Sequence, residues 1–171
     1  MWATLRPWGG ALAWAIDRTS ALLATLTRWL VIAAGGGMIT ALVLQILFRY
    51  GVGRALVWSE ELALFLFTWS TLLAASLGVR EGFHVRLTLA IDGLPHPWRT
   101  GLERLLWLVV ALFGAALAIT GYRYVDATLG QLSAAVRYPV EALHAAAPVA
   151  GGLIALHALA RALKHPLEPP P

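Results

Sequence analysis

Charge-free apolar runs dominate this chain, and each is long enough to cross a lipid bilayer. They cover Trp29–Phe48, Leu62–Val79, Leu105–Tyr122 and Ala142–Ala160. A crossing needs about 20 residues at about 1.5 Å rise each, with a range of about 17–25. With 59% hydrophobic residues in 171, the chain has too few polar residues to clothe four such runs as a soluble core. The fold class that follows is an all-α integral membrane protein with four transmembrane helices. Within lipid every backbone polar group must find its partner inside the segment, which favours helices over any open strand.

The remaining segments take their meaning from those spans. Residues 1–28 read as a cytoplasmic amphipathic arm, 29–160 as the transmembrane domain and 161–171 as a cytoplasmic tail. In the arm, Leu12, Ile16, Leu23 and Leu26 recur near helical spacing, with Asp17, Arg18, Thr25 and Arg28 on the more polar side. It would lie along the interface, brace a neighbouring protein, or serve only as a leader that sets topology. The first long run begins only at Trp29, so the chain is expected to insert through its own helices without a cleaved signal. No room for an additional soluble domain is expected at this length.

Orientation rests on Lys and Arg. Arg6, Arg18, Arg28, Arg80, Arg86, Arg99, Arg104, Arg161 and Lys164 fall on one side of the predicted spans, and Arg49, Arg54, Arg123 and Arg137 on the other. Nine against four places both termini and the connection between spans two and three in the cytoplasm. The formal net charge of +4 is spread singly over span ends rather than gathered into a nucleic-acid surface, and lipid headgroups are its natural counterpart.

Local chemistry refines each span. Gly35-Gly36-Gly37 permits close helix approach or a weak bend, and Gln45 wants a hydrogen-bond partner. Gly51 and Gly53 form a turn. Ser59 is the expected N-cap of the second span, with Glu60 and Glu61 in its first turn beside the aromatic Trp58. Glu61, Phe65 and Trp69 share a face. The two carboxylates either stabilise the helix start or take part in assembly, and pointing about 100° apart they make a poor acid–base pair. Arg80 closes the second span, Gly82 ends it, and Glu81 and His84 follow. Arg80 and His84 are expected to flank a carboxylate from their own loop or from a partner. Residues 83–94 form a cytoplasmic interfacial segment, either a short helix or an extended stretch. Small residues at Gly114-Ala115-Ala116 offer a packing face. Pro139 suits the start of the last helix, while Pro148 inside it removes a bond to the His144 carbonyl and, with Gly151 and Gly152 following, predicts a kink or a tight packing site.

What is missing also narrows function. There is no cysteine, no acidic or basic residue near the middle of a span, no phosphate-cradling glycine pattern and no nucleophile with a base. The five histidines lack metal-ligand spacing and are each expected at a surface or interface. No catalytic residue, cofactor site or metal site is expected, and neither an enzyme nor an autonomous transporter is favoured.

Arg49-Tyr50-Gly51-Val52-Gly53-Arg54, Trp58-Ser59-Glu60-Glu61 and Arg80-Glu81-Gly82-Phe83-His84-Val85 together resemble the DctQ-type small membrane subunit of tripartite ATP-independent periplasmic (TRAP) transporters. The four-span plan, Tyr138-Pro139 and Pro148 extend the similarity over approximately residues 25–165. Glu141 and His144 depart from it, standing where apolar or aromatic residues are more usual. The resemblance implies a multi-pass subunit of the bacterial inner membrane, paired with a large permease and served by a periplasmic substrate-binding protein. It also implies sodium-driven uptake of an organic acid, with the small subunit supporting a static scaffold. Suspected assembly or docking residues are Trp58, Glu60 and Glu61 at the periplasmic side and Arg80, Glu81 and His84 at the cytoplasmic side. The alternative is a non-catalytic scaffold subunit of another membrane complex.

Overall fold

A computed structural model describes residues 7–82 and 96–163. Its helices are α1 (Pro7–Leu47), α2 (Val57–Glu81), α3 (His96–Ala127), α4 (Val140–His144) and α5 (Ala146–Leu163). Four helical segments, Ala11–Val52, Val57–Glu81, Gly101–Ala127 and Val140–Leu163, are long and apolar enough to cross a membrane. The chain is a multi-pass, all-α membrane protein.

Helix α1 has 41 residues and passes position 28 without interruption. At about 1.5 Å per residue it is about 61 Å long, twice a hydrocarbon core of about 30 Å. Its packed side is narrow and made of small residues: Ser20, Ala24, Thr27 and Ala41 are buried, and Gly37 lies close to Leu66 of α2. Leu12, Trp14, Leu22 and Leu26 point outward. Gly35 and Gly36 meet no neighbour, so one glycine of the three serves a close contact. A π-helical turn at Phe48–Val52 follows α1 and ends at Gly53, whose φ of 73° is left-handed.

Helix α2 runs antiparallel to α1, and α5 is the innermost element, touching α1, α2 and α3. The core gathers Val79, Ala111, Ile154 and Ala158, with Trp107, Val110 and Leu117 around it. Glycine sets the α3–α5 distance. A Cβ on Gly151 would stand 2.5 Å from the Ala118 nitrogen and 2.7 Å from the Gly114 carbonyl, so the two backbones are in direct contact.

The last crossing is interrupted at one residue, Ala145, whose backbone stays in the right-handed helical region. Helix α4 ends at His144 and α5 begins at Ala146, because Pro148 has no amide to donate back to His144. The ring of Pro148 packs against Gly121 of α3, where a Cβ would be only 2.8 Å away. Pro139 is the N-cap of α4, one position ahead of its first turn.

Two sequence expectations need correction. Helix α2 starts earlier than Ser59: Leu56 is its N-cap, with an extended backbone, and the buried Ser59 hydroxyl donates to the Leu56 carbonyl at 2.7 Å. A seryl hydroxyl inside the first turn satisfies itself this way and no longer caps. His157 is not interfacial but fully buried, because it finds a hydroxyl across the bundle.

Candidate functional site

Polar side chains collect at the two ends of the bundle. At the end where α1 gives way to α2, Gln45 donates to Glu60 at 2.6 Å and thereby obtains the partner its position demands. Glu61, one residue on, faces the α3–α4 connection. Its two carboxylate oxygens accept the backbone amides of Ala135 at 2.7 Å and Val136 at 2.9 Å. The connection is folded on itself: Ser133 and Tyr138 share a backbone hydrogen bond, Val140 bonds Gln131, and the Ser133 hydroxyl accepts the Tyr138 amide. Arg137 adopts a left-handed φ of 59° to close it. A bidentate carboxylate on two consecutive amides is the anchor of this loop.

The shared face of Glu61, Phe65 and Trp69 continues that contact. Phe65 packs edge-on against Tyr138 with ring centroids 5.3 Å apart, and the Trp69 indole donates to the Ala142 carbonyl at 3.1 Å. Burial and the nearby Glu61 carboxylate push the Tyr138 phenol above its ordinary pKa. The two glutamates therefore point to different partners, Glu60 to α1 and Glu61 to the loop. Trp58 stays half exposed beside them. Across the same end, Thr128 bonds His144 at 2.9 Å and the His144 ring stacks obliquely on Tyr124.

The opposite end joins α1, α2 and α5. Glycine at position 82 ends α2 with a φ of 79°, returning its amide to Gly78 and Val79. The exposed carbonyl of Arg80 is taken by the Arg161 guanidinium through Nε, at 2.9 Å, and Nη2. The Arg161 guanidinium packs close to position 82, 3.0 Å from where a Cβ would stand. Trp107 of α3 lies under the same guanidinium, 5.2 Å from ring centroid to Cζ.

Arg80 itself turns to α1. It donates to the Ser20 hydroxyl and lies 3.6 Å from Asp17, while Glu81 pairs with Arg28 at 2.9 Å on the surface. Among the described residues the carboxylate beside Arg80 is Asp17 of α1, which the sequence reading did not name as its partner. His84 lies outside the described residues. Because an arginine only donates, the Ser20 hydroxyl is free to give its own proton to His157 Nδ1, 2.7 Å away. His157 Nε2 has no hydrogen-bond partner among the described residues.

Sequence reasoning placed Trp58, Glu60 and Glu61 at one end and Arg80 and Glu81 at the other, and the structure gives these residues their partners, Gln45 for Glu60, the α3–α4 connection for Glu61, Ser20 and Asp17 for Arg80 and Arg28 for Glu81. It missed Asp17, Ser20, His157 and Arg161. Their signal was faint: Asp17 and Ser20 share a helix face at a spacing of three, and His157 and Arg161 at four. Among the described residues no group of three or more His, Asp or Glu is arranged to hold a metal ion. Each end pairs a hydroxyl with a histidine, Thr128 with His144 and Ser20 with His157, and both pairs join one helix to another. What both ends do is lock helices to one another.

Comparison with known proteins follows the same lines. A family model described as "Tripartite ATP-independent periplasmic transporters, DctQ component" matches residues 38–165. Over 127 residues, 67% of this chain, the sequence is 30% identical to the isethionate TRAP transporter permease protein DctMQ of Oleidesulfovibrio alaskensis, covering 19% of that protein. It is 30% identical over 87 residues to the sialic acid TRAP transporter small permease protein SiaQ of Vibrio cholerae, covering 51% of this chain and 50% of the relative. It is 37% identical over 73 residues to the C4-dicarboxylate TRAP transporter small permease protein DctQ of Rhodobacter capsulatus, covering 43% of this chain and 32% of the relative. The chain thus spans half or less of the length of each of these relatives.

Proposed function

This chain belongs to the DctQ family of small permease subunits of TRAP transporters, and we propose that it acts as the static membrane support of a sodium-driven organic-acid importer. The small permease subunits of this family are not enzymes. TRAP transporters pair a small permease with a large permease and a periplasmic binding protein. In the system proposed for this chain, the large permease moves substrate and sodium, the binding protein delivers the substrate, and this subunit holds the permease in place. The relatives named above take isethionate, sialic acid and C4-dicarboxylate, and their common acidic character supports an organic acid as cargo here.

The observation that carries the reading is the family match across residues 38–165, which takes in the C-terminal part of the first crossing and all of the other three. Physical features of the bundle support it. Several hydroxyls within the spans bond back to their own helix, as Thr40 does to Gly36, Thr68 to Leu64 and Thr120 to Ala116. Large apolar side chains on α1 and α3, among them Ile32, Ile39, Leu112 and Phe113, face outward and suit lipid or a neighbouring membrane protein.

In this reading the protein sits in a bacterial inner membrane with both termini in the cytoplasm. Trp58, Glu60, Glu61 and the loop that Glu61 holds form the periplasmic docking side. Arg80, Glu81 and His84 serve assembly at the cytoplasmic side. Residues 1–28 brace the assembly as an arm, 29–160 form the embedded unit and 161–171 a tail. Affinity purification in mild detergent should bring down a large permease. Arg80→Ala and Glu81→Ala should reduce that recovery, and Glu60→Gln with Glu61→Gln should reduce uptake by the assembled system, all at matched membrane abundance. Wild-type recovery and uptake in every variant would leave these residues as helix ends only.

A further inference from the structure

Between α1, α2 and α5 lies a cavity of about 200 Å³ lined by Asp17, Arg80, Ala160 and Arg161. Two guanidiniums against one carboxylate leave it one net positive charge. Its position is at a membrane face, since Arg80 and Arg161 occupy the last turns of two membrane-crossing helices. From these features we propose that the cavity binds the phosphate headgroup of an anionic phospholipid.

The arginines are held ready for an anion. Nε and Nη2 of Arg161 are spent on the Arg80 carbonyl, and the indole of Trp107 fixes the plane of the group, leaving Nη1 outside these bonds. Nη1 of Arg80 serves Ser20 and Asp17, leaving Nε and Nη2. A tetrahedral phosphate accepts from several N–H groups at once, as planar guanidiniums require. Asp17 opposes an anion on its own side of the cavity, and its pairing with Arg80 offsets that repulsion. The volume admits several waters at roughly 30 Å³ each, or one phosphate group in their place.

Lipid is the source of that phosphate because of what flanks the cavity. Trp14 stands one turn before Asp17 on α1 and is 63% exposed, with Arg18 over its ring. A charged recess with an outward aromatic side chain one helical turn from its rim matches a headgroup with its acyl chains beside it. A free phosphate ion would use the recess and ignore the rim.

The test uses the full chain, delipidated in a nonionic detergent, with lipid occupancy read by native mass spectrometry. Phosphatidylglycerol is expected to be retained in preference to phosphatidylcholine. Arg161→Gln should weaken that retention by about tenfold, the scale of one charge-assisted hydrogen-bonding group. Ala160→Leu keeps both arginines and fills the recess, so it should also weaken binding even if Arg161→Gln disturbs the end of α2. Arg104→Gln, an exposed arginine of α3 outside the cavity, should leave binding unchanged. Equal retention of the two lipids, or retention unaffected by both cavity variants, would overturn the proposal. So would displacement of phosphatidylglycerol by an equal concentration of inorganic phosphate, which would make the recess a site for a soluble anion.

Discussion

Replacing Gly151 by alanine adds one methyl group to the tightest seam in the bundle, and its consequence can be worked out. The new Cβ would stand 2.5 Å from the Ala118 nitrogen, 2.7 Å from the Gly114 carbonyl oxygen and 3.0 Å from the Ala118 Cα. Ordinary contacts are about 3.5–4.0 Å, so α3 and α5 must separate by about 1 Å. None of these atoms belongs to a side chain that could turn away. Overpacking of this kind costs about 1–3 kcal/mol. Alanine is also the better helix former by about 0.8–1.0 kcal/mol, which partly offsets the loss. Gly152 provides the internal reference, because a Cβ there meets nothing within 4 Å. Gly152→Ala receives the same propensity gain without the clash, so the two variants should differ by about 1–3 kcal/mol. Reversible unfolding of each purified variant, by heat or by titration with a denaturing detergent, measures the difference. If Gly151→Ala proved as stable as Gly152→Ala, the backbone contact between α3 and α5 could not be what sets their distance.

Three further outcomes follow from the ends of the bundle. Glu61→Ala should release the α3–α4 connection, seen as faster hydrogen exchange at the Ala135 and Val136 amides with unchanged exchange in α5; Glu61→Gln, with one accepting oxygen, should fall between. His157→Ala removes the acceptor of the buried Ser20 hydroxyl and leaves a void, so it should destabilise the bundle by about 2–4 kcal/mol in the same unfolding assay. For orientation, cysteine at Arg54 should react with an impermeant thiol reagent added outside cells, and cysteine at His84 should not. The reverse labelling would invert the proposed topology.

How much of this was legible in the sequence depends on the range of each interaction. Spans, the Gly82 exit and the break before Pro148 rest on local patterns that one stretch of chain carries whole: charge-free length, a left-handed glycine, a missing amide. Gln45 advertised an unmet hydrogen bond, and only the fold supplied Glu60 as its partner. Ser59 looked like a cap because serine before two glutamates usually is one, but Leu56 already begins the helix and the hydroxyl turns back onto it. His157 and Ser20 meet across 137 residues of sequence, and nothing local at either position marks the contact. The same holds for Glu61, whose carboxylate reads as a helix-end charge until the loop 74 residues away folds onto it. Single-sequence patterns report on periodicity and termini, whereas side-chain pairing across a bundle is set by which helices become neighbours.

The proposal that this chain is the indispensable support of a larger transporter is met most directly by reconstitution. The large permease that copurifies with it would be placed in lipid vesicles with and without this subunit, and sodium-gradient-driven uptake of the organic acid delivered by the cognate binding protein would be measured. The account predicts uptake only when both membrane subunits are present, and none from vesicles holding this chain alone. Full uptake by the large permease without it, or transport by this chain by itself, would contradict the account.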